Sequence, residues 1–114
     1  MSNEQIIAAV DVEWIAARTR ELVEVFSVTM AETDISPVVR LYLAAALQRV
    51  PKETCWRIAG GLLVHTGDAD DHNIPKMIWF GVEPLVVSNP VRALQLVRDS
   101  RIPLVTRHVA RRIA

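Results

Sequence analysis

Apolar residues recur at three- and four-residue spacing along nearly the whole chain, and no segment alternates apolar with polar as a half-buried strand requires. The expected fold class is therefore all-α. From Val12 to about Ala31 the stripe is Val12, Ile15, Leu22, Val25, Phe26 and Met30. Asp11 suits its N-cap, and Ile6 to Val10 either extends this helix or forms a short turn before it. A second helix is punctuated by Ser36, whose hydroxyl can accept from an orphan amide, and by Pro37 at the first helical position. Its buried face is expected at Val39, Leu43, Ala46, Leu47 and Val50.

A third helix is predicted from Pro51 to His65, with Trp56, Ala59, Leu62 and Leu63 inward. Its Gly60-Gly61 pair costs up to about 1 kcal/mol per glycine relative to alanine, a cost that close approach of another helix would justify. Residues 66–73 are the only polar loop of any length. Asn73 is then expected to cap a helix with Pro75 in its first turn and Met77, Ile78, Trp79, Val82 and Leu85 along it. Pro84 falls inside that pattern and is expected to kink or end it, because it has no amide to donate to the Phe80 carbonyl. Asn89-Pro90 repeats the cap-then-proline device for a fifth helix, Val91 to about Asp99. Pro103 opens a sixth, with Leu104, Val105, Val109 and Ile113 inward.

Aligned on their prolines, Pro37–Leu47 and Pro103–Ile113 match in proline, apolar and alanine positions. The offset is 66 residues (103 minus 37), about twice a helix-pair repeat. Five or six amphipathic helices with short connections and such a repeat predict a HEAT-like α-α superhelix of about three helical hairpins, stacked with a right-handed turn, in preference to a four-helix bundle. Residues 1–114 then form a single helical-repeat domain. The ending at Arg111-Arg112-Ile113-Ala114, inside a helical pattern, is read as a cut from a larger multidomain protein.

Composition sharpens this picture. Hydrophobic residues make up 51% and charged residues 23%, which excludes a disordered tail, and the longest apolar runs fall short of the roughly 18 residues of a membrane span. The N-terminus has no signal-peptide layout. The single cysteine, Cys55, excludes an internal disulfide, a CxxC zinc knuckle and a CxxCH haem attachment within the chain. Formal charge is zero, 13 basic against 13 acidic, yet the zero is uneven. Residues 1–35 hold two cations against seven carboxylates, a balance of −5, whereas residues 91–114 hold six arginines against Asp99, a balance of +5. Such asymmetry points to partners.

The run Ser36-Pro37-Val38-Val39-Arg40-Leu41-Tyr42-Leu43-Ala44-Ala45-Ala46-Leu47 resembles the second-helix signature of HEAT-type repeats. Beyond it, Trp56-Arg57-Ile58-Ala59, His65, Asp68 to Pro75, Trp79 to Leu85 and Ile102 to Val105 are similar to the helical segment of the large PVC-type membrane-bound dehydrogenase or haem-binding proteins of bacteria. In that family a sugar-dehydrogenase-like propeller precedes HEAT-like repeats and a c-type cytochrome domain follows. Over about residues 34–114, the resemblance implies a non-catalytic scaffold module of an exported redox protein. It brings no haem ligand and no catalytic residue to this chain, so no cofactor is expected within it.

Several side chains still have the chemistry for a site. His65, Asp68, Asp70, Asp71 and His72 place two imidazoles and three carboxylates within eight residues, the makings of a divalent-metal site. Their spacing fits neither HExxH nor an EF-hand, and an interhelical loop whose side chains bond backbone amides accounts for them better. Trp56, Trp79 and Cys55 are expected in the core, the thiol inert. Glu83, one turn after Trp79 and next to Pro84, is expected to answer a freed amide or to pair with an arginine, there being no second titratable group to make it catalytic. Arg40 and Arg49 flank an apolar helix and are expected to pair with acidic residues of a neighbouring repeat. Arg98, Arg101, Arg107, Arg111 and Arg112 form the candidate interaction surface. It is suited to neighbouring domains, to other proteins or to head-to-tail self-association. The alternative is a HEAT-like nucleic-acid-binding domain with these arginines on phosphates, disfavoured by the neutral total charge, two lysines only and the lack of interleaved aromatics.

Overall fold

Proline and a few short polar side chains decide where the helices begin. The structure, a computed structural model, describes residues 20–21, 27–33 and 36–114. Residues 20–21 are helical and residues 27–33 form α1. There follow α2 (Pro37–Ala46), α3 (Lys52–Leu62), α4 (Ile74–Ser88), α5 (Pro90–Arg98) and α6 (Pro103–Ile113), with 3-10 turns at Leu47–Arg49 and Thr66–Asp68. Among the described residues there is no strand, so the fold class is all-α. The expected Asp11 cap and the Ile6 to Val10 segment lie outside the described residues.

At α2 the Ser36 hydroxyl accepts from the Val39 amide at 3.5 Å, a long contact, with Pro37 in the first turn. At α5 the Asn89 side chain accepts from the Arg92 amide at 3.1 Å. The cap of α4 differs from expectation. Asn73 holds the cap position, but its side chain bonds nothing there; the Asp71 carboxylate accepts from the Asn73 and Ile74 amides, both at 2.8 Å. A carboxylate two residues upstream bridges two orphan donors at once, which an amide carbonyl at the cap does less well.

The proline at 84 neither ends α4 nor shortens it, and the helix runs on to Ser88. Interior proline costs about 3 kcal/mol. Ile78, Val82, Leu85 and Val86 are all buried on this helix, and at about 1.5–3 kcal/mol per side chain their burial outweighs that penalty.

α4 packs against α2, α3, α5 and α6, most extensively against α6 and then α2. Helices α2 and α6 flank α4 and share at most marginal contact with each other, while α3 packs against α5. The result is two layers, α2-α4-α6 and α3-α5, with one core between them that includes Leu47, Ile58, Leu62, Ile74, Ile78, Val82 and Val105. The Arg101 amide donates to the Leu63 carbonyl at 2.7 Å and ties the α5–α6 connection to the end of α3.

The two halves of the sequence repeat open α2 and α6, yet they bury different registers. Arg40 and Ala44 are buried on α2, whereas Val105 and Val109 are buried on α6; these align with Val39 and Leu43, which are half-buried. The match in sequence is thus offset by one residue, about 100° of helix rotation, in what each helix turns inward.

Close helix approach is real at Gly61 and absent at Gly60. A Cβ on Gly61 would lie 2.9 Å from the Glu32 amide nitrogen of α1, while one on Gly60 would sit 3.8 Å from the nearest Leu96 methyl, in ordinary contact. Gly81 on α4 is tighter still, its absent Cβ 2.4 Å from Cβ of Leu47.

Candidate functional site

The polar loop between α3 and α4 is where metal chemistry was most available, and its side chains are directed elsewhere one by one. Asp68, in the 3-10 turn, is buried and receives both arms of Arg40 from α2: Nε donates to Oδ2 at 2.6 Å and Nη2 to Oδ1 at 2.9 Å. His65 Nε2 lies 2.7 Å from the Ala31 carbonyl, which can only accept, so Nε2 carries the proton and donates. Asp71 caps α4, and its carboxyl is held below the ordinary value by the Ile74 and Asn73 amides. Asp70 and His72 are exposed. Among the described residues no three His, Cys, Asp or Glu side chains converge as metal ligands would.

The acidic partner expected for Arg40 is therefore Asp68, 28 residues on. Arg49 is exposed without an ion pair among the described residues. Glu83, half-buried, takes neither of its expected partners.

Cys55 and Trp56 are buried. Removal from water pushes the Cys55 thiol up to about 11, and its Sγ donates to the Gly81 carbonyl at 3.6 Å, so it stays protonated and unreactive at neutral pH. Trp79 is only half-buried; it stacks on His108 of α6 with ring centres 5.1 Å apart and planes at 21°. A hollow of about 270 Å³ beside α4, walled by Leu47, Val50, Cys55, Phe80 and Leu85, is mostly apolar, with Gln48 and Lys52 as its polar lining residues.

All five arginines of the candidate interaction surface, Arg98, Arg101, Arg107, Arg111 and Arg112, are exposed, and none makes an ion pair among the described residues. Arg107 and Arg111 stand one turn apart on the outer side of α6, opposite its buried Val105 and Val109.

A second polar constellation escapes notice in the sequence because its members lie on two helices. On α3 and α5, Arg92 places its guanidinium 4.9 Å from the Trp56 ring centre and grips Glu53 with Nη1 and Nη2, both bonds 2.7 Å long. The Glu53 carboxyl is lowered, first by the Arg92 hydrogen bond and then by the charges of Arg92 and Arg57. Trp56, Arg57, Arg92, Gln95 and Leu96 wall a hollow of about 230 Å³ there. The signal that was available is an aromatic residue followed directly by an arginine on a helix, which by itself is too common to mark a site.

None of the family models, curated proteins or solved structures compared with the chain matches it. No helix among the described residues is long and apolar enough to cross a membrane.

Proposed function

We propose that this chain is a non-catalytic helical-repeat module of HEAT-like type that docks or spaces other protein domains. The observation that carries the reading is the layering: α2 and α6 each rest on α4 and scarcely on one another, and α3 and α5 form the second layer, as in a superhelix where each unit contacts only its neighbours. The treatment of the polar loop supports it too, since its strongest candidate ligands serve the fold. Following the family resemblance, the attached domains would be a propeller dehydrogenase and a c-type cytochrome of an exported redox protein, and the cofactors would be theirs.

The unpaired arginines at and around α6 are the docking surface in this proposal, facing an acidic neighbour or the acidic residues 1–35 of another copy. Arg107→Glu combined with Arg111→Glu is expected to weaken association or docking, measured by sedimentation velocity and by binding to the adjacent domains. Unchanged values overturn this placement. A parent reading frame with a propeller before this segment and CxxCH after it is expected; a free-standing frame of this size overturns the redox assignment. Because the same arginines are free to meet phosphates, duplex DNA is the competing ligand: retention at low salt that falls steeply as salt rises would replace the scaffold reading with nucleic-acid binding.

A further inference from the structure

The hollow between α3 and α5 is rich in donors and poor in acceptors. Trp56 is only 7% exposed, yet its indole N–H donates to no acceptor among the described residues. No side-chain nitrogen or oxygen among the described residues is both sealed from solvent and unpartnered, so this N–H is reachable from outside. Arg57 is exposed and has no hydrogen bond or ion pair among the described residues, and its five donors are unspent. Arg92 is fixed in place by Glu53 and the Trp56 ring, and that grip uses Nη1 and Nη2, leaving the Nε–H edge of the fork. Gln95 adds an amide and Leu96 an apolar wall. Two guanidinium groups against one carboxylate, whose two oxygens are both engaged, leave the hollow one positive charge in excess.

We infer that this hollow is a binding site for the acidic side chain of an extended peptide segment, with a carboxylate received by Arg57 and the Trp56 N–H. Guanidinium forks match a planar carboxylate in two bonds. The volume of about 230 Å³ exceeds the ~150 Å³ that encloses a benzene, so it holds one side chain and its methylene stem, the stem lying on Leu96. Arg92 needs no rearrangement to take part, and a pre-ordered cation lowers the entropic cost of binding. The site is separate from the α6 arginines and stands whether or not they dock a domain.

The test is an NMR titration of the ¹⁵N-labelled chain with N-acetyl-hexaglutamate amide, and in parallel with inorganic phosphate and a short DNA duplex. Hexaglutamate is expected to shift the Trp56 indole and Gln95 side-chain amide resonances saturably and in a salt-sensitive way, leaving the Trp79 indole unmoved. Arg57→Glu, at an exposed position, is expected to weaken this binding about tenfold or more, with Arg57→Lys in between. Absence of shifts at millimolar peptide, shifts confined to the α6 arginines, or equal binding by Arg57→Glu overturns the site. Equal occupancy by phosphate, or tighter occupancy by DNA at the same resonances, overturns the assignment to an acidic peptide.

Discussion

Two seams of this molecule use the same parts to opposite effect. Where α2 meets the segment leading into α4, Arg40 and Asp68 form a two-bond fork with side chains 9% and 3% exposed, and Gly81 is pressed against Leu47. Where α3 meets α5, Arg92 and Glu53 form an equally short fork with side chains 36% and 67% exposed, and a Cβ on Gly60 would meet Leu96 only at ordinary contact distance. Bond lengths do not separate the two; solvent does. In the first seam the charges have left water, while in the second water and salt compete for every bond.

The largest effect is expected from breaking the buried fork. Arg40→Met alone strands the Asp68 carboxylate in the core and should cost about 3–5 kcal/mol in urea denaturation, whereas adding Asp68→Leu should recover part of that loss. Equal losses for single and double variants would mean that packing around the pair, and not the stranded charge, sets the cost. Next comes Gly81→Ala. A Cβ 2.4 Å from that of Leu47 cannot be placed without moving the 3-10 turn that carries it, so a loss of about 1–3 kcal/mol is expected despite the better helix propensity of alanine. In the looser seam the same change reverses sign: Gly60→Ala meets only ordinary contact and should raise stability by up to about 1 kcal/mol.

Smaller still is Arg92→Ala, expected to lower the melting temperature slightly, by less than any single change at Arg40, and by less again in high salt. The smallest effect is acid sensitivity from exposed carboxylates. Glu53 and Asp71 have folded values lowered below their ordinary 4.5 and 3.8, by the Arg92 hydrogen bond and by the Ile74 and Asn73 amides respectively. Each is ionised and contributing above its unfolded value, and the contribution is lost as pH falls through the folded one. Melting temperature should therefore be flat near neutrality and decline below about pH 4.5, with Asp71→Asn flattening part of the decline.

The contrast also marks what a sequence discloses. Ser36-Pro37, Asn89-Pro90 and Pro103 gave their helix starts because capping and proline chemistry act within a turn. That Arg40 would need a carboxylate was legible from an arginine on an apolar helix; that it would be Asp68 was not, since 28 residues and a 3-10 turn intervene. Asp71 in place of Asn73 at the α4 cap depends on how the loop bends before the helix. The continuation of α4 through Pro84 depends on burial supplied by other helices, and the intimacy of Gly81 with Leu47 exists only once α4 has docked. The α3–α5 hollow was illegible for the same reason: its arginines are 35 positions apart and meet through helix packing alone.

The place of α4 has a consequence for how the chain comes apart. Because four helices contact it, no single hairpin can detach without uncovering one of its faces, so stepwise peeling from either end is disfavoured for residues 36–114. Amide hydrogens on α4 should then exchange with deuterated solvent only through global opening, while those near the tip of α6, beyond its last buried turn at Val109, exchange by fraying.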